Sequence, residues 1–193
     1  MADVHTADIL TFPSRRGWRQ WLAKNHSRSR GVWVRFFKKN SGIASVTYDE
    51  ALDEAICYGW IDSRLRPLDE KSWMRRFTPR RPKSLWSRRN VERASGLMKA
   101  GRMTRAGIAE VQAAKADGRW KRAYDSGRTM SVPADFLRRL DRDRHAKGFF
   151  KTLGKADLYA IAWRLQTSRT PETREQRIRK ILAMLARGES LHG

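Results

Sequence analysis

The hydrophobic period of this chain changes along its length, and that change restricts the fold more than any other feature. VWVRFFKK (32–39), WIDSRLR (60–66) and SWMRRFT (72–78) are rich in aromatic and β-branched residues, and from Trp60 to Thr78 the pattern has a period of two. That is the signature of strands. After Pro82 apolar residues recur every three to four positions, as on helices, to the end of the chain. The expectation is an α+β fold: a small antiparallel or mixed sheet of at least three strands with packed helices, followed by a helical C-terminal region. The composition shift near residue 82 sets the expected division, 1–82 as the sheet-containing domain and 83–193 as a helical region packed on it.

Local signals refine this outline. Ser14 can cap a first helix whose Trp18, Trp21 and Leu22 share one face. Gly31 opens the first strand and Asn40-Ser41-Gly42 closes it; its centre is expected to be covered on both faces. Thr47-Tyr48-Asp49-Glu50 has the form of a capping box, in which the Thr hydroxyl accepts from the Glu amide and the Glu carboxylate reaches back. The helix behind it buries Leu52, Ala55 and Ile56 and stops at Gly59. Pro67 to Lys71 are read as the turn between the two alternating runs. Beyond Pro82, helices are expected from Ser84 or Ser87 to Lys99, from Thr104 to Asp117, from Pro133, over 142–153 and 155–167, and from Thr170-Pro171 to Gly188, with 119–131 as a loop.

Charge is the second strong feature. The chain carries 42 basic and 20 acidic residues, a net charge of +22, and 30 of the basic residues are Arg. Such a chain attracts polyanions, and Arg suits bidentate phosphate or carboxylate contacts better than Lys. RRFTPRRPKSLWSRRN (75–90) holds seven Arg or Lys and no acid, and over 75–107 there are eleven basic residues against Glu92 alone. A solvated helix face mixes charge signs, because opposite pairs at i, i+4 are favourable; this segment does not. Pro79 and Pro82 stiffen it, and Ser84 to Asn90 offer hydroxyls and free amides at a helix start. Arg76, Arg80, Arg81, Lys83, Ser84, Ser87 and Asn90 are therefore candidate anion ligands, joined by Arg174 and Arg177 if the last helix packs beside them. Trp60, Asp62 and Trp86 are candidates to shape the site. Asp62 and Arg64 should share a strand face, where Asp62 either pairs with Arg64 or Arg75 or orients the Arg cluster. Trp73 and Trp86 are core anchors or stacking platforms.

Other chemistries lack support. His5, His26, His145 and His192 are scattered without ligand spacing, so no metal is expected. No Gly-x-Gly-x-x-Gly, P-loop or Gly-x-Ser-x-Gly motif is present, and no cofactor is expected. Cys57, the single cysteine, falls at a helix C-terminal end, where the dipole disfavours a thiolate; a small buried thiol is expected. MADVHTADILTFPSRR lacks the charged start and apolar run of a secretion signal, and LYAIAW (158–163) is too short to cross a bilayer, so a cytoplasmic protein without membrane insertion is expected.

CYGWIDS (57–63), LDE (68–70), RFTPRRPKSLWSRRN (76–90), GRM (101–103), AKADGRW (114–120) and ETREQRI (172–178) follow one another in this order. In this the chain resembles the YdeI/OmpD-associated bacterial proteins, from about Phe12 to Gly188. Trp60, Asp62, Arg76, Pro79, Arg80, Arg81, Pro82, Ser84, Trp86, Ser87 and Asn90 match the family's central motif, and Thr173 and Arg174 its C-terminal one. The resemblance implies a cytoplasmic protein linked with tolerance of bacteriocins or cationic antimicrobial peptides and with envelope stress. It supplies no reaction and no catalytic residue, and the strong positive charge is a departure from it.

Three readings follow. The first is a binding protein with an Arg-lined site for a phosphate or carboxylate. The second is an enzyme acting on a small acidic or phosphorylated metabolite, with Asp62 and an Arg or Ser87 sharing the work. The third is a non-specific nucleic-acid binder. The partners expected are an anionic small molecule, a nucleic acid or an acidic protein.

Overall fold

The computed structural model describes residues 9–127 and 129–191. The chain forms two compact units, one of the residues up to Ser84 with Asn90–Trp120, the other of Leu85–Arg89 with the residues from Lys121 on.

The first unit is built on a four-stranded sheet. Its strands are β1 (Ile9–Thr11), β2 (Val32–Phe37), β3 (Trp60–Asp69) and β4 (Ser72–Pro79), in the order β1-β2-β4-β3. β1 runs parallel to β2, and the other pairs are antiparallel, so the sheet is mixed. Helices α1 (Arg15–Asn25) and α2 (Tyr48–Cys57) cover one face. Ser14 caps α1 by accepting from Gly17 N, and Thr47 with Glu50 forms the capping box of α2, as their spacing predicts. The covered face is aromatic. Trp18 packs on Phe77 with centroids 5.5 Å apart, Trp21 meets Trp60 edge-on at 5.8 Å, and Phe36 stacks on Trp73 at 4.7 Å. Trp18, Val34, Phe36, Trp60 and Phe77 are buried; a side chain of this size contributes about 1.5–3 kcal/mol when fully buried. Trp73 is thus an anchor in this stack. The buried Val32, Trp33 and Val34 agree with the expected double covering of β2.

The sheet has one strand beyond the three anticipated, and one expectation changes. β1 is an additional strand, three residues long, too short to show a period. Pro67 to Lys71 are not all turn: β3 runs on to Asp69, and Pro67 pairs with Trp73. β3 is an edge strand, where a missing amide is tolerated. Asp69 closes the shorter turn, its Oδ1 accepting from Lys71 N (2.9 Å) and Ser72 Oγ (2.8 Å).

Helix α3 (Arg88–Lys99) begins in residues that group with the second unit and continues into the first, which α4 (Arg105–Ala116) completes. The start of α4 lies on the end of α2: Thr104 Oγ1 donates to Cys57 O at 2.7 Å, and a Cβ on Gly107 would stand 2.3 Å from that oxygen.

The second unit contains α5 (Ala134–Leu140), α6 (Arg144–Phe150), α7 (Lys155–Gln166) and α8 (Pro171–Ala186). Phe136, Leu140, Ala146, Ile161, Leu165, Ile178, Ile181 and Leu185 form its core. Proline in the first turn of α8 follows the cap Thr170, whose hydroxyl accepts from Thr173 N. The loop before α5 is tied to α7 through Gln166, which bonds Asp125 and the Ser131 carbonyl.

Candidate functional site

The segment that leaves β4 is fixed by its own backbone. Arg80 N donates to Gly59 O, Ser84 N to Arg81 O, and Arg81 N to Ser84 Oγ, each at 3.0 Å. Pro79 and Pro82 restrict φ around Arg80 and Arg81. Lys83 takes a left-handed φ of 65° to close the turn, a conformation that favours glycine. Arg119, paired with Asp117, donates from Nη1 to Ser84 O at 2.6 Å and ties the end of the segment to the same unit.

On β3 the pairing with β4 slips between Asp62 and Leu65. The bulge turns neighbouring side chains to different faces. Asp62, opposite Phe77, faces the helices, where its Oδ2 meets Arg75 Nε at 2.6 Å and accepts from Tyr48 Oη at 2.8 Å. The Arg75 guanidinium lies 4.8 Å from the centroid of the Tyr48 ring. Arg64 leaves toward the opposite face instead, so the expectation that Asp62 and Arg64 share a face is corrected: it assumed an unbroken period of two.

On that opposite face is a concavity of about 750 Å³ lined by Arg30, Ile61, Ser63, Arg64, Arg76, Thr78, Pro79, Arg80, Arg81, Pro82 and Ser84. All belong to the first unit. Five are arginines, and no carboxylate, imidazole or thiol stands among them. Arg30 enters through strand register: Gly31 precedes β2, and Trp33 pairs with Arg76. Gly31 has φ 135°, and a Cβ there would come within 2.8 Å of Thr78 Cγ2, 2.9 Å of Phe77 O and 3.4 Å of Arg76 Nε. Only glycine leaves that space free.

Several arginines elsewhere in the unit are matched to acids. Glu54, 2% exposed, receives Arg15 and Arg102 at 2.5 Å and Arg19 at 2.6 Å. Arg93 pairs with Asp53 and Asp49, and Arg35 with Asp69. Arg30, Arg64, Arg76 and Arg81 have no carboxylate partner among the described residues. Guanidinium stays charged at any ordinary pH, so the concavity holds uncompensated positive charge between walls that focus its field.

Of the residues singled out in the sequence, Arg76, Arg80, Arg81 and Ser84 come together here. Arg80 is buried. Lys83 is exposed in the same turn, outside the lining. Trp60 is buried among the helices, its Nε1 donating to His26 O. Trp86 and Ser87 are buried in the stretch that groups with the second unit, where Ser87 bridges Tyr124. Asn90 lies within α3. In the second unit Arg174 pairs with Asp135 through both carboxylate oxygens, and Arg177 donates to Arg164 O and Ser168 Oγ. Arg30 and Arg64 are lining arginines that the sequence does not mark as anion ligands; Arg64 is expected there only as a partner of Asp62.

Cys57 ends α2 and is buried; burial, aided by the charge of Glu54, pushes its thiol up to about 11. No group of three or more His, Cys, Asp or Glu stands ready for a metal ion, and no helix is long and apolar enough to cross a membrane, among the described residues.

Residues 10–110 match the family described as "Domain of unknown function (DUF8412)", and residues 129–188 match the one described as "Bacteriocin-protection, YdeI or OmpD-Associated". The motifs between 57 and 103 that carry the resemblance noted above fall in the first match, and ETREQRI falls in the second. No curated protein and no solved structure matches the chain.

Proposed function

The chain belongs to the DUF8412 family and carries a domain of the YdeI/OmpD-associated family, and from that premise we propose that it is an anion-binding protein whose site is the Arg-lined concavity of the first unit. The observation that carries this reading is the contrast in charge matching: Arg30, Arg64, Arg76 and Arg81 converge on one hollow with no acid in its lining, while Glu54 alone takes three arginines. Arg–phosphate and Arg–carboxylate contacts are short and often bidentate, which suits such a hollow. Binding is favoured over catalysis because the lining offers only hydroxyls beside its arginines, and a general base needs a titratable group within reach.

The family description names bacteriocin protection. A chain of net charge +22 repels cationic peptides within a Debye length, roughly 8 Å at physiological salt. Any protective role would therefore act indirectly, through the anionic ligand.

The test is calorimetric titration of the purified protein with orthophosphate, sulfate and citrate at two salt concentrations. Saturable binding of at least one anion that Arg76→Ala and Arg81→Ala each weaken supports the reading. Heats that are equal in the wild type and both variants overturn it.

A further inference from the structure

We infer that the ligand of this concavity is a compact molecule carrying two or more phosphate groups; this rests on the anion-binding reading above and narrows it. Charge balance comes first. The four arginines without a carboxylate partner supply four positive charges, whereas one phosphate monoester carries about −1.5 to −2 at neutral pH. A single phosphate leaves roughly half of that charge unmatched, and two or three phosphates match it.

The second argument is layout. The arginines form two groups: Arg64 and Arg76 on the sheet with Arg30 just ahead of β2, and Arg80 and Arg81 on the proline-flanked segment after β4. Both are fixed in advance, the sheet group by the β3 bulge and by Gly31, the other by the Arg81–Ser84 turn. A ligand with adjacent phosphates offers each group an anion of its own. Ser63 and Thr78 belong to the same lining.

The third argument separates a compact polyphosphate from a nucleic-acid strand. The volume, about 750 Å³, falls in the range of small-molecule sites. Single-stranded nucleic acids are held by stacking bases on aromatic rings, and the lining contains none. Trp33, the nearest ring on this face by register, is 3% exposed and lies under the Arg66 guanidinium.

The experiment is titration of the full chain with orthophosphate, pyrophosphate, tripolyphosphate and a short oligothymidylate. Tripolyphosphate and pyrophosphate are expected to bind about tenfold or more tightly than orthophosphate, the gain of one further charge-assisted contact. Arg64→Ala and Arg81→Ala should each reduce that preference. The control Arg138→Ala, which removes equal charge from the second unit, should leave it unchanged. Orthophosphate binding as tightly as tripolyphosphate overturns the inference but leaves the anion site standing. Tighter, steeply salt-dependent binding of oligothymidylate overturns it in favour of a strand. No binding of any anion overturns both readings, and equal losses in the control and site variants reduce the binding to net charge.

Discussion

Asp62 and Arg64 lie on opposite faces of the sheet although only Ser63 separates them. The carboxylate joins Arg75 and Tyr48 under the helices, and the guanidinium lines the concavity. The bulge therefore keeps the acid away from the cluster of cations it would otherwise neutralise.

This separation predicts a double dissociation. Asp62→Asn leaves the half-buried Arg75 without its counter-charge and should cost about 1–3 kcal/mol in urea unfolding, with anion affinity unchanged. Arg64→Ala removes an exposed side chain, should move stability by less than about 0.5 kcal/mol, and should weaken anion binding. Calorimetry and denaturation on both variants check the pattern.

Glu54 is a structural keystone of the first unit. Its carboxylate gathers guanidinium groups from α1 and from the α3–α4 connection. Glu54→Gln leaves three cations around a neutral amide. Removing one partner of a buried pair typically costs about 3–5 kcal/mol; the partial exposure of the three arginines places the expected loss nearer the lower end. Chemical denaturation measures it.

Gly107 should tolerate no side chain. A Cβ there would stand 2.3 Å from Cys57 O, and the obstacle is backbone, not a movable side chain. Gly107→Ala should destabilise the unit by about 1–3 kcal/mol despite the better helix propensity of alanine. Ala at Gly96, where no atom lies within 4 Å, should be neutral or stabilising by up to about 1 kcal/mol. Melting temperatures of the two variants compare them directly.

What the sequence makes legible is what local rules govern. Ser14, Thr47-Glu50, the three longer strands and the helices after Pro82 announce themselves through caps and periods. So does the charge cluster at Arg76, Arg80 and Arg81. The rest depends on contacts between distant residues. Arg30 joins Arg76 only through the pairing of Trp33 with Arg76, and Arg64 faces the concavity only because β3 slips by a bulge. A period of two places Arg64 beside Asp62 and gives no sign of the slip. Glu54, on the buried face of an amphipathic helix, is itself such a sign: a charge at an apolar position needs partners, yet which arginines supply them is a matter of tertiary structure.

Cys57 gives a pH dependence. An unfolded thiol titrates near about 8.5, and the folded one is pushed up to about 11. The fold favours the neutral thiol, so this contribution is fully present below the unfolded value and is lost as pH rises toward the folded one. Stability should fall across that window by up to about 1.4 kcal/mol per pH unit from this group. Cys57→Ala should lessen the slope relative to wild type, as melting curves at stepped pH would show.

The central claim is that Arg30, Arg64, Arg76 and Arg81, which have no carboxylate partner among the described residues, converge with Arg80 on one anion site. The most direct measurement is NMR of the arginine Nε–Hε signals during titration with pyrophosphate. Saturable shifts confined to Arg30, Arg64, Arg76, Arg80 and Arg81 are predicted, with Arg138, Arg142 and Arg179 of the second unit unmoved. Shifts spread evenly over arginines of both units, or none at the five lining residues, would contradict the account.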